Sequence, residues 1–375
     1  MSSENESGNS VVASKPCLSE SQVIRLAESL FNLKASGVKP LPSYDDQNFY
    51  IRAENDGTCD CTEYVMKITN GEDSKNVELI EAQTHVMMFL SNVGIPTPRP
   101  VFTNTGKILS YEAIGNGSAT QKHVVRLLTY LPGTPVAKIV ATPDILFNIG
   151  RMAAVIDESL NKEFHFSNKK IFDRGDFIWN LSNTPLLRNY VHAIKEERLR
   201  DLIEGVIKQY ETSVAPNLKN FRKCINHGDL NDYNILMQKT STSVGRDQYN
   251  VSGVLDFSDM SEGYYVFEVA ITIMYMMIES SDAICAGGYV LAGFESVIEL
   301  TKEERDALFT LVCCRFAQSL VMARHSVLLC PQNEEYLMIT AKTGWKHLVT
   351  LTETGKEAVE KVWSETARSY NSEAH

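Results

Sequence analysis

Two polar segments decide the fold, His227-Gly-Asp-Leu-Asn-Asp-Tyr-Asn234 and, about twenty residues further on, Val254-Leu-Asp-Phe-Ser-Asp259. Asp229 and Asn234 are five residues apart in a loop between two predicted strands, and Asp256 ends a separate apolar strand. Phosphoryl transfer needs a carboxylate that orients the attacking hydroxyl, and oxygen ligands that hold Mg²⁺ against the phosphates. The order His-x-Asp-x-x-x-x-Asn and then Asp-Phe supplies both. The pattern therefore predicts an enzyme that transfers a phosphoryl group to a small molecule.

The residues before these segments predict a small α+β lobe. Val23, Ala27 and Phe31 recur at helical spacing behind an N-cap at Ser19 or Ser21, and a second helix is predicted from Leu79 to Leu90. A polar turn at 55–61 is expected between the first two strands. The strands are predicted at 48–52, 63–69, 101–102, 107–110 and 122–130.

The residues after Leu131-Pro-Gly-Thr-Pro135, which predicts a hinge, have mainly helical periodicity. Helices are predicted at 142–161, 187–210 and 217–222, and over nearly all of the chain from Val266. Because the first 18 residues are too polar to bury apolar surface, we expect a disordered tail there. The predicted organisation is a tail over residues 1–18, a nucleotide-binding N-lobe over 19–131, and a C-lobe over 132–375 that carries the catalytic loop.

The composition limits the possible partners. The chain has 375 residues, of which 43% are hydrophobic, and a net charge of −11. A negative protein is repelled by nucleic acids and by anionic membranes, and it attracts a cationic small substrate. The chain shows no apolar stretch of signal-peptide length at its start, and the stretch from Val266 to Ile278 is shorter than the ~20 residues that a bilayer span needs. We therefore expect a cytoplasmic protein with neither nucleic acid nor membrane as a partner.

Five longer stretches carry a resemblance to a known family. They are Pro42-Ser-Tyr-Asp-Asp-Gln-Asn-Phe49, Val125-Arg-Leu-Leu-Thr-Tyr-Leu-Pro-Gly133, Ile225-Asn-His-Gly-Asp-Leu-Asn-Asp232, Gly263-Tyr-Tyr-Val-Phe-Glu-Val-Ala-Ile-Thr-Ile-Met-Tyr-Met-Met-Ile-Glu279 and Ala341-Lys-Thr-Gly-Trp-Lys-His-Leu348. With the catalytic-loop motif they resemble the aminoglycoside phosphotransferase and choline kinase-like family. The resemblance implies a two-lobed, protein-kinase-like α+β fold, with a small N-lobe built on an antiparallel sheet and a mainly helical C-lobe.

The resemblance is strongest to the members of this family that phosphorylate the side-chain hydroxyl of 5-hydroxy-L-lysine with GTP, and it runs from about Pro40 to Trp363. The residue pattern alone leaves ATP open as the donor, and homoserine, choline or an aminoglycoside as the acceptor. A non-catalytic scaffold of the same shape is the other alternative. Such a scaffold would be expected to lose one of four residues that are all present here, namely Lys67, Asp229, Asn234 and Asp256.

By this resemblance Asp229 is the catalytic base, Asn234 and Asp256 bind Mg²⁺, and Lys67 contacts the nucleotide phosphates. Ser258 stands where the usual Asp-Phe-Gly motif has glycine, which puts the mobility of this loop in doubt but not its metal binding. The nucleotide base is expected beside the segment that contains Leu128 and Tyr130.

Two features of the predicted phosphate site depart from the protein-kinase pattern. The loop over residues 43–48 contains no glycine, so its phosphate donors are predicted to be Ser43 and Asn48. The helix partner of Lys67 stays open, because Gln83 lies on the apolar stripe of the second helix and Glu81 lies beside that stripe.

The substrate residues are predicted from charge. A buried ammonium group needs a paired carboxylate, and some of the acidic residues in or after the catalytic loop should face it. They are Asp232, Asp259, Glu262, Glu268 and Glu279. Glu268 also opens an apolar helix, where a charge that favours the helix dipole is an alternative role. Arg315, in an otherwise apolar helix, is predicted to bind the substrate carboxylate, with a buried ion pair as the alternative.

Overall fold

The computed structural model describes residues 15–54, 62–116, 119–240, 248–331, 334 and 338–373. The chain forms two compact units, one that ends at Leu131 and one that begins at Pro132. The predicted turn at 55–61 and residues 1–14 of the predicted tail lie outside the described residues. The expected fold class is confirmed, since the first unit is built on an antiparallel sheet and the second is mainly helical.

The first unit combines one sheet with two α-helices among its described residues. Its elements are α1 (Glu20–Phe31), β1 (Ala35–Leu41), β2 (Gln47–Ala53), β3 (Glu63–Ile68), α2 (Val77–Asn92), β4 (Pro100–Val101), β5 (Ser110–Asn116) and β6 (Ala119–Thr129). Ser19 is the N-cap of α1, as predicted: its hydroxyl accepts from Gln22 N–H, and the Gln22 side chain accepts from Ser19 N–H. This reciprocal capping box fixes where the helix begins.

The sheet places Lys67 on a buried strand. The strand order is β1-β2-β3-β6-β4, with β5 beside β6, and all pairs are antiparallel. Met66 and Ile68 belong to the main apolar cluster of this unit. Because side chains alternate along a strand, Lys67 points to the opposite face, where it is only 8% exposed. Asn48 of β2 is its cross-strand neighbour.

The sequence analysis misses two features of this unit. Strand β1 was not predicted, because its sequence, Ala35-Ser-Gly-Val-Lys-Pro-Leu41, has weak alternation. Residues 15–18, predicted as part of the disordered tail, are ordered: Leu18 is buried, its N–H donates to Gln47 Oε1 at 2.8 Å, and its carbonyl accepts from Gln47 Nε2 at 3.0 Å. A polar composition cannot reveal this pairing with a distant strand.

The second unit has short strands that carry the loops and long helices that form the core. Its elements are β7 (Thr134–Pro135), α3 (Pro143–Lys162), α4 (Glu197–Gln209), β8 (Lys223–Asn226), β9 (Ile235–Thr240), β10 (Gln248–Val254), β11 (Ser261–Tyr264), α5 (Tyr265–Ile278), α6 (Ala283–Glu295), α7 (Lys302–Leu329), α8 (Ala341–Thr354) and α9 (Lys356–Glu373). Strands β10, β9 and β7 form one small sheet, and β11 pairs with β8.

The predicted helix over 187–210 is wrong in its first half. Short 3₁₀ segments at Leu181–Asn189 and Val191–Ala193 precede a break, and α4 begins only at Glu197. The Arg200 guanidinium donates to the carbonyls of two of the three residues in the break, Ile194 at 2.9 Å and Lys195 at 2.7 Å. These bonds satisfy backbone acceptors that a continuous helix would otherwise use.

Helices α5 and α7 form the centre of the second unit. Every residue of α5 from Tyr265 to Met277 is buried. Among the described residues, α7 is long and apolar enough to span a membrane, but 94% of its most apolar window is buried inside the protein. It therefore packs as a core helix. Side chains of both helices contact the loop between β8 and β9.

Candidate active site

Asp229 lies in the loop between β8 and β9, in direct contact with Asn234. Asn234 Nδ2 donates to the Asp229 carbonyl at 3.0 Å and to its Oδ2 at 2.9 Å. Asn231 Nδ2 donates to the same Oδ2 at 2.8 Å, and Asn231 Oδ1 accepts from Asn234 N–H at 2.9 Å. Because these bonds use the nitrogen of the Asn234 amide, its oxygen is the atom that could bind a metal.

A buried ion pair holds the other oxygen of Asp229. Arg315 of α7 is 1% exposed, and its Nη2 lies 3.0 Å from Asp229 Oδ1. The guanidinium also donates to the Tyr275 hydroxyl at 3.3 Å and to the Trp179 carbonyl at 3.2 Å, and it lies over both aromatic rings. Burial raises the pKa of Asp229, and the charge of Arg315 opposes this rise. Arg315 therefore favours the ionised carboxylate that a base requires.

His227 connects the catalytic loop to the segment that carries Asp256. Its Nε2–H donates to the Leu255 carbonyl at 3.0 Å, and its Nδ1 accepts from Asp229 N–H at 3.3 Å. Burial lowers the pKa of His227 to about 4, so the ring is neutral at physiological pH and this tautomer makes both bonds. The ring packs edge-on against Phe257 at 4.7 Å between centroids.

Asp256 lies just after β10 at a sharp bend of the backbone. Its φ of 55° is in the left-handed region, which aspartate adopts more readily than most residues with a β-carbon. The Ser258 hydroxyl donates to Asp256 Oδ1 at 2.8 Å, and Ser258 N–H donates to the same atom at 3.4 Å. The serine that replaces the usual glycine therefore holds the predicted metal ligand in place.

A pair of buried carboxyl groups supports the catalytic loop from below. Glu268 of α5 accepts from Gly228 N–H at 3.3 Å (Oε1) and 3.2 Å (Oε2), and it contacts Asp157 of α3; both acids are 0% exposed. Asp157 Oδ2 accepts from Asn226 Nδ2 at 3.2 Å and from Cys224 Sγ at 3.6 Å. Asp157 Oδ1 receives no hydrogen from any donor in the described part of the chain. The pair therefore keeps one proton between its two carboxyl groups, because two touching carboxylates cannot both stay ionised in a core.

The pair makes stability depend on pH. Burial raises the pKa of Asp157 well above its usual value and that of Glu268 to about 7. The folded protein thus keeps a proton that the unfolded chain loses near pH ~4. This proton contributes its full stabilisation below about pH 4. The stabilisation is lost progressively as the pH rises through the raised pKa values that the two carboxyl groups have in the folded protein.

We expect Asp157→Asn to remove much of the stability loss that the wild type shows as the pH rises. The amide keeps an acceptor for Asn226 and donates to Glu268 without a titrating proton. The variant should be more stable than the wild type at about pH 8 and should lose less stability between about pH 5 and pH 8. Thermal unfolding across this pH range measures the effect. Glu158→Gln, a partly exposed neighbour paired with Lys162, is the matched control and should follow the wild-type profile. Parallel profiles for Asp157→Asn and the wild type would contradict the assignment.

Two predicted substrate carboxyls have raised pKa values. Burial raises the pKa of Asp232 to about 8, and the neighbouring Glu279 adds to this rise. Burial likewise raises the pKa of Asp259 to about 8; the charge of Asp229 adds to this rise, and the charges of Arg315 and Arg174 oppose it. A cation placed beside either group would favour its ionised form.

Other predicted substrate residues have partners of their own. Glu262 is exposed and forms an ion pair with Lys223 across the β8–β11 pair. Glu268 lies in the first turn of α5, which agrees with the helix-dipole alternative, and its buried carboxylate accepts from the catalytic-loop backbone. The Arg315 guanidinium contacts Asp229, which is the ion-pair alternative; its binding to a substrate carboxylate stays a prediction.

In the first unit, Lys67 has an acidic partner that the sequence analysis did not consider. Its Nζ lies 3.2 Å from Asp46 Oδ2, and each side chain is 10% exposed. Glu81 is exposed on α2, whereas Gln83 is 3% exposed. Lys67 therefore has an ion-pair partner in the loop residue Asp46, and the choice between Glu81 and Gln83 on the helix stays a prediction.

Of the two predicted phosphate donors, Ser43 lies in this same loop and Asn48 lies in β2. The Ser43 hydroxyl donates to the Asp46 carbonyl at 2.6 Å and so closes the turn. Asn48 Oδ1 is buried and has no hydrogen-bond partner among the described residues. The role of both residues in phosphate binding stays a prediction.

The two residues expected beside the nucleotide base differ in exposure. Leu128 is buried on β6, opposite Val65. Tyr130 is 38% exposed; its N–H donates to the Glu63 carbonyl at 3.0 Å, and its ring packs edge-on against Tyr50. Their contact with a nucleotide also stays a prediction.

Comparisons with known proteins identify the family of the chain. A model described as the phosphotransferase enzyme family matches residues 37–303. A hydroxylysine kinase from Xenopus laevis is 67% identical over 95% of this chain and 96% of its own, and one from Mus musculus is 52% identical over 97% of each. Among solved structures, an amicoumacin kinase in complex with AMP-PNP, Ca²⁺ and Ami has a TM-score of 0.62 at 15% identity, covering 89% of this chain and 96% of its own. The kinase-like fold is confirmed, and the chain belongs to the phosphotransferase enzyme family.

Proposed function

We propose that this protein is a cytoplasmic kinase that transfers the terminal phosphoryl group of GTP to the side-chain hydroxyl of 5-hydroxy-L-lysine, with Mg²⁺, to give 5-phosphohydroxylysine and GDP. The observation that carries the proposal is the contact of Asp229 with Asn234 and Arg315 in a chain 67% identical to a protein named hydroxylysine kinase. Free cysteines among the described residues, such as the buried Cys224, fit a reducing compartment.

Asp229 is the residue that acts on the acceptor. A hydroxyl that attacks phosphorus must be oriented and must lose its proton, and the Asp229 carboxylate can accept that proton. Asn231 and Asn234 orient one of its oxygens, and Arg315 binds the other. The carboxylate is thus fixed before the substrate arrives, so little reorganisation is needed during the reaction.

The residues present fit a divalent metal. The Asn234 amide and the Asp256 carboxylate are hard oxygen donors of the kind that Mg²⁺ prefers. Within the described ranges no group of three or more His, Cys, Asp or Glu side chains could hold a metal alone. This fits Mg²⁺, which usually takes one or two protein ligands and completes its shell with phosphates and water. When bound, the ion would offset the negative charge of the phosphates.

The acceptor is a cationic amino acid, and the second unit offers acidic groups for it. 5-Hydroxylysine has two ammonium groups and one carboxylate. Asp232 with Glu279, and separately Asp259, are carboxyl groups whose ionised form an ammonium would stabilise. The choice of GTP over ATP rests on the resemblance of the sequence alone.

The proposal predicts a specific pattern of substrates. Purified protein with Mg²⁺ and either GTP or ATP is incubated with 5-hydroxylysine, homoserine or choline, and release of GDP or ADP is measured. Homoserine lacks the distal ammonium and choline lacks the carboxylate. We expect kcat/KM for 5-hydroxylysine to exceed both by at least about tenfold, because one unpaired buried group costs about 1–3 kcal/mol.

Lysine is the control, since it has both ammonium groups and the carboxylate but no hydroxyl. It should inhibit competitively and should not stimulate nucleotide turnover. Comparable turnover of homoserine or choline would overturn the substrate assignment and leave the kinase activity standing. A faster reaction with ATP than with GTP would overturn only the donor.

A further inference from the structure

We propose that Asp46 is the carboxylate that positions Lys67 for the nucleotide phosphates. Lys67 of β3 is buried, and its Nζ lies 3.2 Å from Asp46 Oδ2. The inference rests on the proposed function, as part of which we take Lys67 to contact the phosphates, as the resemblance implies. It assigns to the loop between β1 and β2 a task that the sequence analysis sought on helix α2.

A buried lysine needs such a partner. Without a nearby negative charge, burial favours the neutral amine, which binds phosphate poorly. A partner also restricts a side chain that otherwise has four rotatable bonds and a large rotamer entropy. Asp46 supplies both the charge and the restriction, since each side chain is only 10% exposed.

Asp46 is itself fixed by the neighbouring turn. Its Oδ1 accepts from the N–H of Asn70 at 2.8 Å and from Asn70 Nδ2 at 3.2 Å. Asn70 is buried, and its Oδ1 accepts from the N–H groups of Glu72 and Asp73, both at 3.0 Å. One oxygen of Asp46 is thus bound to the turn, and the other faces Lys67.

The same contact could instead oppose nucleotide binding, because a carboxylate beside Lys67 also repels phosphate. Replacement of Asp46 would weaken triphosphate binding in the first case and strengthen it in the second. An ammonium group has three hydrogens, so it can bind a phosphate oxygen while it stays bonded to Asp46. Asn70 donates two hydrogen bonds to Asp46 Oδ1 and so holds the carboxylate in place. This favours an Asp46 that stays bonded to Lys67 over one that the nucleotide phosphates displace.

The test compares ligands with and without phosphates. Dissociation constants are measured by calorimetry for GTP and ATP with Mg²⁺, and for guanosine and adenosine. Asp46→Asn should weaken binding of the preferred triphosphate by about tenfold and leave nucleoside binding within about twofold. Glu72→Gln removes one charge from an exposed pair with Lys75 in the same unit and should change neither constant.

Two further variants keep the outcomes separate. Asp46→Glu retains the negative charge but places it one methylene further from the backbone. Its affinity for triphosphate should lie between those of the wild type and Asp46→Asn. If Asp46→Asn does not fold, Asp46→Glu takes its place in the comparison. Equal losses for triphosphate and nucleoside, or tighter triphosphate binding, overturn the inference. If Lys67→Met leaves triphosphate affinity unchanged, the assignment of Lys67 in the proposed function fails instead.

Discussion

Asp229→Asn is expected to lower kcat by about 10³-fold, within the range that general-base catalysis contributes. The amide cannot accept the proton of the acceptor hydroxyl. It is close in shape to the carboxylate, so its contacts with Asn231 and Asn234 can largely persist. Nucleotide affinity should therefore change little, and the loss should appear in kcat.

Steady-state release of nucleoside diphosphate and equilibrium binding of the metal–nucleotide complex measure the two quantities separately. Asp306→Asn, which removes a carboxylate from an exposed pair with Lys302, is the control for the change in charge and should react at the wild-type rate. A kcat for Asp229→Asn within about tenfold of the wild type, with nucleotide affinity unchanged, would show that Asp229 is not the base.

The catalytic loop could be predicted because its chemistry fixes the spacing of its residues. Asp229 and Asn234 are close in sequence, and the strands on either side of them are apolar. Local pattern therefore gives both the identity and the environment of these two residues. The same holds for the apolar helix α5, whose residues are buried along nearly its whole length.

The supporting contacts could not be predicted, because each joins residues far apart in the chain. Periodicity reports which face of an element is buried but not which element it meets. Asp46 and Lys67 lie in different elements of the first unit, and Arg315 is 86 residues after Asp229. A search for a carboxylate on the nearest helix therefore led to Glu81, and a search for a substrate clamp led to Arg315.

Asp157 did leave a signal in the sequence. It shares the buried face of α3 with Ala153, Ile156 and Leu160, all 0% exposed. An acidic residue on an apolar stripe must be paired or protonated, because an isolated buried charge is too costly. What the stripe cannot show is the partner, Glu268, which comes from another helix.

Replacement of Arg315 by methionine is expected to destabilise the protein by about 3 kcal/mol, because it leaves the partly buried Asp229 carboxylate without its charged partner. The Arg315 side chain is 1% exposed and that of Asp229 is 20% exposed, so solvent screens this pair only in part. Thermal and urea unfolding measure the loss. Tyr275→Phe removes only the hydroxyl 3.3 Å from Nη2 and should cost about 1 kcal/mol. Equal stability of Arg315→Met and the wild type would show that the pair is not maintained in solution.

Kinetics of the milder variant Arg315→Lys distinguish support of the base from binding of the substrate. If Arg315 acts through Asp229, kcat should fall to the same extent with 5-hydroxylysine and with its decarboxylated analogue, because both present the same hydroxyl. If Arg315 binds the substrate carboxylate, KM for 5-hydroxylysine should rise while the analogue is unaffected. We expect the first result, since Nη2 bonds Asp229 Oδ1 at 3.0 Å and Nη1 bonds the Trp179 carbonyl at 3.2 Å, so each terminal nitrogen already has a partner in the protein.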